Sequence, residues 1–179
     1  MDTIIDASAE IETENSEQQD AHKVILLPVK NRHTSNTPFP LTPERVAQIL
    51  QEAGYKGNVI ETETRRFVES GAEGTKFRIY FYDDVSTKSG EQQYSIMFNT
   101  GWNIKKDERE DFLKAANIFN MRFRYLKAYV VSEDEYAYTE AEMSFFGADG
   151  LSDDGFIALL DMFLNLRQSY LSICREFVK

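Results

Sequence analysis

The feature that most constrains the fold is the strict alternation of side chains in "TKFRIYFYDD" at residues 75–84. One side carries Phe77, Ile79 and Phe81, and the other carries Arg78, Tyr80 and Tyr82. Because successive side chains of a strand point to opposite faces, this pattern predicts a β-strand with one buried face. The chain must therefore build a sheet, and other elements must cover the apolar face of that sheet.

Further strands are predicted on both sides of this segment. "NVIETE" at 58–63 either continues into or breaks before "RRFVES" at 65–70, and "YSIMFN" at 94–99 follows a polar loop. These segments are typical of an antiparallel meander of three strands. Later, "YLKAYVV" and "EYAYTEAEMSFF" flank the turn-like "SEDE" and predict a hairpin. The sheet is thus expected to have about five strands.

Three helices are predicted around these strands. In "LTPERVAQILQEAGY", Thr42 can act as N-cap, Pro43 suits the first helical position and Gly54 ends the helix. "KKDEREDFLKAANIFNMRF" carries Asp107, Glu108, Glu110 and Asp111 in its first turns, where the positive end of the helix dipole favours acidic residues. The last helix is expected from 153 to about 177, with Ser152 as its N-cap.

The second and third helices each carry an apolar face at helical spacing. The second face consists of Phe112, Leu113, Ala116, Phe119 and Phe123. The third consists of Phe156, Leu159, Leu160, Phe163, Leu166, Tyr170, Ile173 and Phe177. The element order α-β-β-β-α-β-β-α indicates an α+β fold with the helices packed on one face of an antiparallel sheet.

The chain divides into an N-terminal tail and linker at 1–40 and a compact domain at 41–179. Residues 1–22 contain seven acidic residues and no Lys or Arg, a composition typical of a disordered extension. Residues 29–40 are rich in turn formers and are interpreted as the linker. An acidic interaction arm is the functional alternative for the tail.

Charge and cysteine content limit the partners and the compartment. A net charge of -10 disfavours indiscriminate binding to nucleic acid or to an anionic membrane. No apolar run approaches the roughly 20 residues that span a bilayer, and the N-terminus lacks the pattern of a secretory signal. Cys174 is the only cysteine, so we expect a cytoplasmic protein in which Cys174 is a small, buried hydrophobe on a helix.

No pattern in the sequence indicates a metal, a cofactor or a catalytic centre. "DGLSDDG" fails as a calcium loop because Leu151 and Asp154 stand where an oxygen ligand and a glycine are needed. "GAEGTKF" at 71–77 is too short for a phosphate-binding loop and is interpreted as a β-turn. Acidic residues are plentiful, but nothing pairs them with a nucleophile, so we predict no cofactor, no metal site and no enzyme activity.

Four tyrosines form a candidate partner surface. Tyr80, Tyr82, Tyr125 and Tyr129 can share one face of the sheet. Stacking of nucleic-acid bases is disfavoured because residues 133–161 contain nine acidic residues and no basic one. We therefore expect a protein partner or self-association into a homodimer, for which tyrosine is well suited.

The one concentrated basic and aromatic stretch is "ANIFNMRFRY" at 116–125. Asn117 and Asn120 lie three residues apart near the end of the second helix, where their amides can bond free backbone groups. Arg124 can balance the negative end of that helix or pair with a carboxylate. We predict that the asparagine pair is chiefly architectural.

These residues carry a resemblance to the YbjN family, bacterial proteins described as regulators of sensory transduction. The hallmark of that family is an Asn-x-aromatic-Asn group, an Arg-aromatic pair, a strand, a glycine and a helix that ends in an aromatic residue. The matching residues are, in this order, Asn117, Phe119 and Asn120; Arg124 and Tyr125; Ala128 and Tyr129; Gly150; and Phe177. Phe119 stands where the family often has tryptophan, and Tyr125 where it often has phenylalanine. The likeness covers about 41–177 and includes the first helix.

The resemblance implies a fold similar to that of type III secretion chaperones, which are small, acidic, usually dimeric and non-catalytic. The leading hypothesis is a non-enzymatic protein-binding or regulatory module, acting in bacterial signalling or stress regulation through protein–protein contacts. One alternative is a chaperone-like binder of a secreted effector segment. Another is an enzyme of unknown chemistry.

Overall fold

The computed structural model describes residues 23–25, 41–84, 93–132, 137–147 and 151–177. These described residues form three helices: α1 (Pro43–Glu52), α2 (Arg109–Arg122) and α3 (Asp153–Phe177). The strands are β1 (Lys23–Ile25), β2 (Asn58–Glu61), β3 (Arg66–Ala72), β4 (Thr75–Asp84), β5 (Gln93–Ile104), β6 (Lys127–Ser132) and β7 (Ala137–Gly147). A 3-10 turn at Lys106–Glu108 leads into α2. The α+β class is confirmed.

All strands pair antiparallel in one sheet of order β1-β2-β3-β4-β5-β7-β6. The expected count of about five strands is wrong, because the described residues form seven. Residues 58–70 are two strands separated by a turn, in which Thr62 and Arg65 exchange backbone and hydroxyl hydrogen bonds at 2.9 to 3.0 Å. That turn reverses the chain, so β2 and β3 pair with each other instead of continuing as one strand.

Two other departures come from pairings between distant parts of the chain. Strand β5 runs to Ile104, past the predicted end at residue 99, because β7 pairs with it along its whole length from Tyr94 to Ile104. Strand β1 lies within the segment 1–40 predicted as tail and linker, and it pairs with β2. The remainder of residues 1–40 lies outside the described residues, so the domain boundary at 41 stays a prediction.

The helix ends follow the local signals in the sequence. Thr42 accepts a hydrogen bond from the backbone N–H of Arg45, Pro43 occupies the first turn of α1, and Gly54 has φ +89°. The backbone N–H of Gly155 donates to the Ser152 hydroxyl at the start of α3, at 3.1 Å. These caps satisfy free backbone groups at the helix ends, as predicted.

The core lies on one face of the sheet, beneath the three helices. Phe98 on β5 packs against Phe156 and Phe163 of α3, and Phe77 on β4 also packs against Phe163, with ring centroids 5.3 to 5.7 Å apart. Cys174 is 5% exposed and belongs to this core, which confirms its predicted role. One polar residue of α3, Arg167, is also fully buried, which its spacing did not predict.

Candidate functional site

The side chain of Asn120 ties the last turn of α2 to strand β6. Its Nδ2 donates to the carbonyl oxygen of Ala128 at 2.8 Å, and its Oδ1 accepts from the backbone N–H of Ala128 at 3.0 Å. Helix α2 ends two residues later at Arg122, and Phe123 is already extended with φ -117° and ψ 150°. The amide thus fixes where the helix stops relative to the strand that follows.

This contact also occupies part of the outer edge of the sheet. In an antiparallel strand, the N–H and C=O of one residue point to the same side, and alternate residues point to opposite sides. Since both groups of Ala128 meet Asn120, they point away from β7. Asn120 therefore takes the place that a neighbouring strand would take, and a covered edge resists pairing with other chains.

The stretch 116–125 contains side chains that belong to the core. Phe119 is fully buried, stacks on Phe123 with ring centroids 4.8 Å apart and meets Tyr170 of α3 edge-on at 5.4 Å. Leu126, just before β6, is 2% exposed. The chain between α2 and β6 is therefore anchored on both sides of residues 124 and 125.

Other side chains of the stretch 116–125 face solvent. Met121 is 86% exposed and Tyr125 is 73% exposed, and both Arg122 and Arg124 are exposed. Among the described residues, no ion pair includes either arginine, so the carboxylate partner proposed for Arg124 is not found there. We call Met121, Arg122, Arg124 and Tyr125 the α2–β6 corner.

Tyr125 adopts an unusual backbone conformation. Its φ is +74°, the left-handed region that side chains with a Cβ rarely enter. Such a conformation costs about 1–2 kcal/mol and persists only where the surrounding structure enforces it. Here the Asn120–Ala128 contact, the half-buried Phe123 and the buried Leu126 enforce it. The strained residue is held in one place with its ring exposed.

Asn117 does not take part in this arrangement. It is exposed, and its side chain makes none of the hydrogen bonds found within the described part of the chain. The two asparagines, which share one side of the helix in sequence, thus have different surroundings. Only Asn120 contacts the following strand.

The other predicted tyrosines lie on the face of the sheet opposite the helices. Tyr80 is paired with Phe67 on β3, with ring centroids 5.3 Å apart, and the guanidinium of Arg78 lies over the Phe67 ring at 5.4 Å. Tyr82 shares this face because it lies two residues further along β4, and it is 39% exposed. Together they form an aromatic patch on the open face.

Tyr129 lies on the same face but at a different place. β4 and β6 are three strand spacings apart, about 14 Å. The Tyr129 hydroxyl donates to the carboxylate of Glu140 at 2.6 Å and lies 3.1 Å from Glu142. Burial, and then the hydrogen bond to Glu140 and its negative charge, raise the pKa of Tyr129 above its usual range, so the phenol stays protonated. Tyr125 precedes β6 and lies outside the sheet.

Sequence reasoning missed three residues of interest: Met121, Arg122 and the buried Arg167. A signal exists for Met121, because it lies off the apolar face predicted from Ala116, Phe119 and Phe123 and so is expected to face outward. No local signal distinguishes Arg167 from a surface arginine. Within the described residues, no group of three or more His, Cys, Asp or Glu could hold a metal ion. No helix in that part of the chain is long and apolar enough to cross a membrane.

Comparison with known proteins agrees with the arrangement of these elements. Residues 42–175 match the model of the YbjN family, described as "Putative bacterial sensory transduction regulator". A similar solved structure is "Crystal structure of YbjN, a putative transcription regulator from E. coli". It shares 11% sequence identity with a TM-score of 0.57, over 78% of this chain and 93% of that chain. No curated protein matches the chain.

Proposed function

The chain belongs to the YbjN family, and from that premise we propose that it is a non-enzymatic regulatory module that binds a protein partner through the α2–β6 corner. The observation that carries this proposal is Tyr125, which is 73% exposed and held at φ +74°. Strained residues of this kind concentrate at functional sites. A regulator, unlike an enzyme, needs only such a recognition surface, and the family description names a regulator.

The composition of the corner supports a protein contact. Tyrosine, methionine and arginine are enriched at the cores of protein interfaces, and tyrosine and arginine dominate their binding energy. A tyrosine that is already fixed loses little conformational freedom on binding. Met121 adds an unbranched, adaptable side chain next to it.

The charges of the corner select an acidic partner segment. Arg122 and Arg124 make no ion pair within the described part of the chain, so both guanidinium groups can meet carboxylates of a partner. Nucleic acid is a poorer match because the whole chain carries a net charge of -10. We therefore assign an acidic protein segment to this surface, and we place its action in the cytoplasm, in line with the single cysteine.

Docking of side chains explains the corner better than addition of a strand does. A chaperone-like binder that adds an extended segment to the sheet would use the outer edge of β6. Along that edge the outward backbone groups belong to Ala128, Val130 and Ser132, and Asn120 already occupies those of Ala128. This leaves a short edge, and two residues give few hydrogen bonds for strand addition.

The proposal is tested by site-specific photo-crosslinking in cells. A photoreactive amino acid is placed at Met121 or Tyr125, and at Lys56 as a control. Lys56 is exposed and precedes β2, on the far side of the sheet from β6. We expect the same discrete protein adduct from positions 121 and 125 and none from 56. Adducts of equal yield from all three positions, or none from 121 and 125, would contradict the proposal.

A further inference from the structure

Arg167 of α3 is a fully buried guanidinium with incomplete hydrogen bonding. Its Nη2 donates to the Glu73 carboxylate at 3.0 Å and approaches the carbonyl oxygen of Ala72 at 3.4 Å. Its Nε and Nη1 have no hydrogen-bond partner among the described residues. Arginine remains charged in proteins, and buried donors of a charged group are almost always paired. The two free nitrogens therefore require an explanation.

Two further buried side-chain atoms have no hydrogen-bond partner among the described residues. They are Ser70 Oγ on β3 and Gln51 Oε1 on α1. Ser70 precedes Ala72 by two residues on β3. The Nε2 of Gln51 donates to the carbonyl oxygen of Gly57 at 2.8 Å. Asn58 pairs with Glu69 at the start of β2, so the preceding residue, Gly57, stands opposite Ser70. Ser70 thus lies on the strand that leads to Ala72 and Glu73, and Gln51 contacts the residue that precedes the neighbouring strand β2.

The chemistry of this set favours an anionic group. Nε and the two hydrogens of Nη1 are donors, and the Ser70 hydroxyl can donate as well. Gln51 Oε1 is the one obligatory acceptor. Donors of an arginine are best satisfied by a group with two or more oxygens, such as a carboxylate or a phosphate. Burial lowers the pKa of Arg167, and the charge of Glu73 opposes that shift.

Glu73 already supplies one such oxygen to Arg167, but its side chain lies at the protein surface. It is 61% exposed and stands at the tip of the hairpin, with φ +53° followed by Gly74 at φ +75°. A single carboxylate oxygen of Glu73 receives both Arg167 and Gln168. An exposed side chain on a two-residue turn can leave without disturbing the core, and its departure would free the third guanidinium nitrogen.

We propose that Arg167 anchors a binding site for a small oxyanion, a carboxylate or phosphate group, beneath the β3–β4 hairpin, and that Glu73 is a built-in competitor for it. Ser70 completes the donors, and Gln51 accepts from a protonated or amino-bearing part of the ligand. The site lies on α1, β3, α3 and the turn between β3 and β4, away from the α2–β6 corner, and does not depend on the partner proposed above.

The test follows the Nε–H of Arg167 by nuclear magnetic resonance in the full chain. Sodium acetate and sodium phosphate are titrated separately, with sodium chloride at matched ionic strength as the reference. The variants are Glu73→Gln, which removes the competing charge, and Glu44→Gln, which removes an equal charge from the exposed Glu44–Arg66 pair. None of these measurements needs Arg167 itself to be replaced.

We expect a saturable shift of the Arg167 Nε–H with at least one oxyanion and not with chloride. The oxyanion concentration that gives half of the maximal shift should be at least tenfold lower in E73Q than in wild type. In E44Q it should equal the wild-type value. The oxyanion that acts identifies the ligand as a carboxylate or a phosphate. No saturable shift in either wild type or E73Q, or an equal response to chloride, would overturn the proposal and assign the free nitrogens to bound water.

Discussion

The amide of Asn120 holds both backbone hydrogen-bonding groups of Ala128, at 2.8 and 3.0 Å. One side chain thereby ends helix α2, covers the edge of β6 and fixes the position of the exposed Tyr125. In the stretch 116–125, Phe119 and Asn120 therefore hold the structure together, and the residues of the α2–β6 corner are exposed to solvent. This division separates effects on stability from effects on binding.

Replacing Asn120 should destabilise the fold. Asn120→Ala leaves the N–H and C=O of Ala128 without their partner, and such losses cost about 1–3 kcal/mol. Asn117→Ala is the matched control, because Asn117 is exposed and makes no such contact; it should stay within about 0.5 kcal/mol of wild type. Urea unfolding measures both. Equal stabilities for the two variants would show that the Asn120 contact has no structural role.

Position 125 should prefer glycine to alanine. Tyr125 has φ +74°, a conformation open to glycine and strained for any residue with a Cβ. The variants Tyr125→Gly and Tyr125→Ala both remove the exposed ring and differ only in that carbon. Tyr125→Gly should therefore be the more stable by about 1 kcal/mol in chemical denaturation. An Ala variant as stable as the Gly variant would rule out backbone strain at this residue.

Alkaline pH should weaken the fold through Tyr129. Burial and the nearby Glu140 raise its pKa in the folded state above the ordinary value of 10.0. The associated stability is fully present below pH 10 and is lost as pH rises above it, because the unfolded chain ionises first. Tyr129→Phe removes this ionisation and should reduce the loss, leaving the contribution of Tyr170, whose pKa burial also raises.

This prediction is checked by measuring the free energy of unfolding between pH 8 and pH 11 for wild type and Tyr129→Phe. If Tyr129→Phe lost as much stability as wild type over this range, the phenol would not be protected in the folded state.

Cys174 should be unreactive until the protein unfolds. Burial raises the pKa of its thiol to about 11, and the thiolate is the reactive form. At pH 8, a thiol reagent should label the native protein far more slowly than the protein in urea. Native labelling at the unfolded rate would place Cys174 at the surface and contradict its position in the core.

The parts of the fold that the sequence predicts are those determined by residues close together in the chain. Thr42 and Ser152 mark helix starts, Gly54 marks a helix end, and alternation along 75–84 marks β4, because each signal acts within a few positions. The insertion of β7 between β5 and β6 depends on pairing between distant segments, which no local signal encodes. The same reason explains why β5 was expected to end too early.

The candidate site shows the same limit in its side chains. Helical spacing identified Phe119 as buried, but it gave no means to see that Asn120 reaches Ala128 or that Tyr125 has a positive φ. Arg167 falls on the apolar stripe of α3, between Phe163 and Tyr170, yet a pattern that counts arginine as polar assigns it to the surface. Its burial follows from contact with the β3–β4 hairpin, 94 residues earlier in the chain.

The most direct test of the central claim compares binding with stability in Tyr125→Gly. The partner identified by crosslinking is titrated calorimetrically into wild type, Tyr125→Gly and Asn117→Ala. We expect Tyr125→Gly to bind at least tenfold more weakly, about 1.4 kcal/mol, while its free energy of unfolding is equal to or above that of wild type. Asn117→Ala should bind like wild type. Unchanged affinity in Tyr125→Gly would show that the α2–β6 corner is not the binding surface.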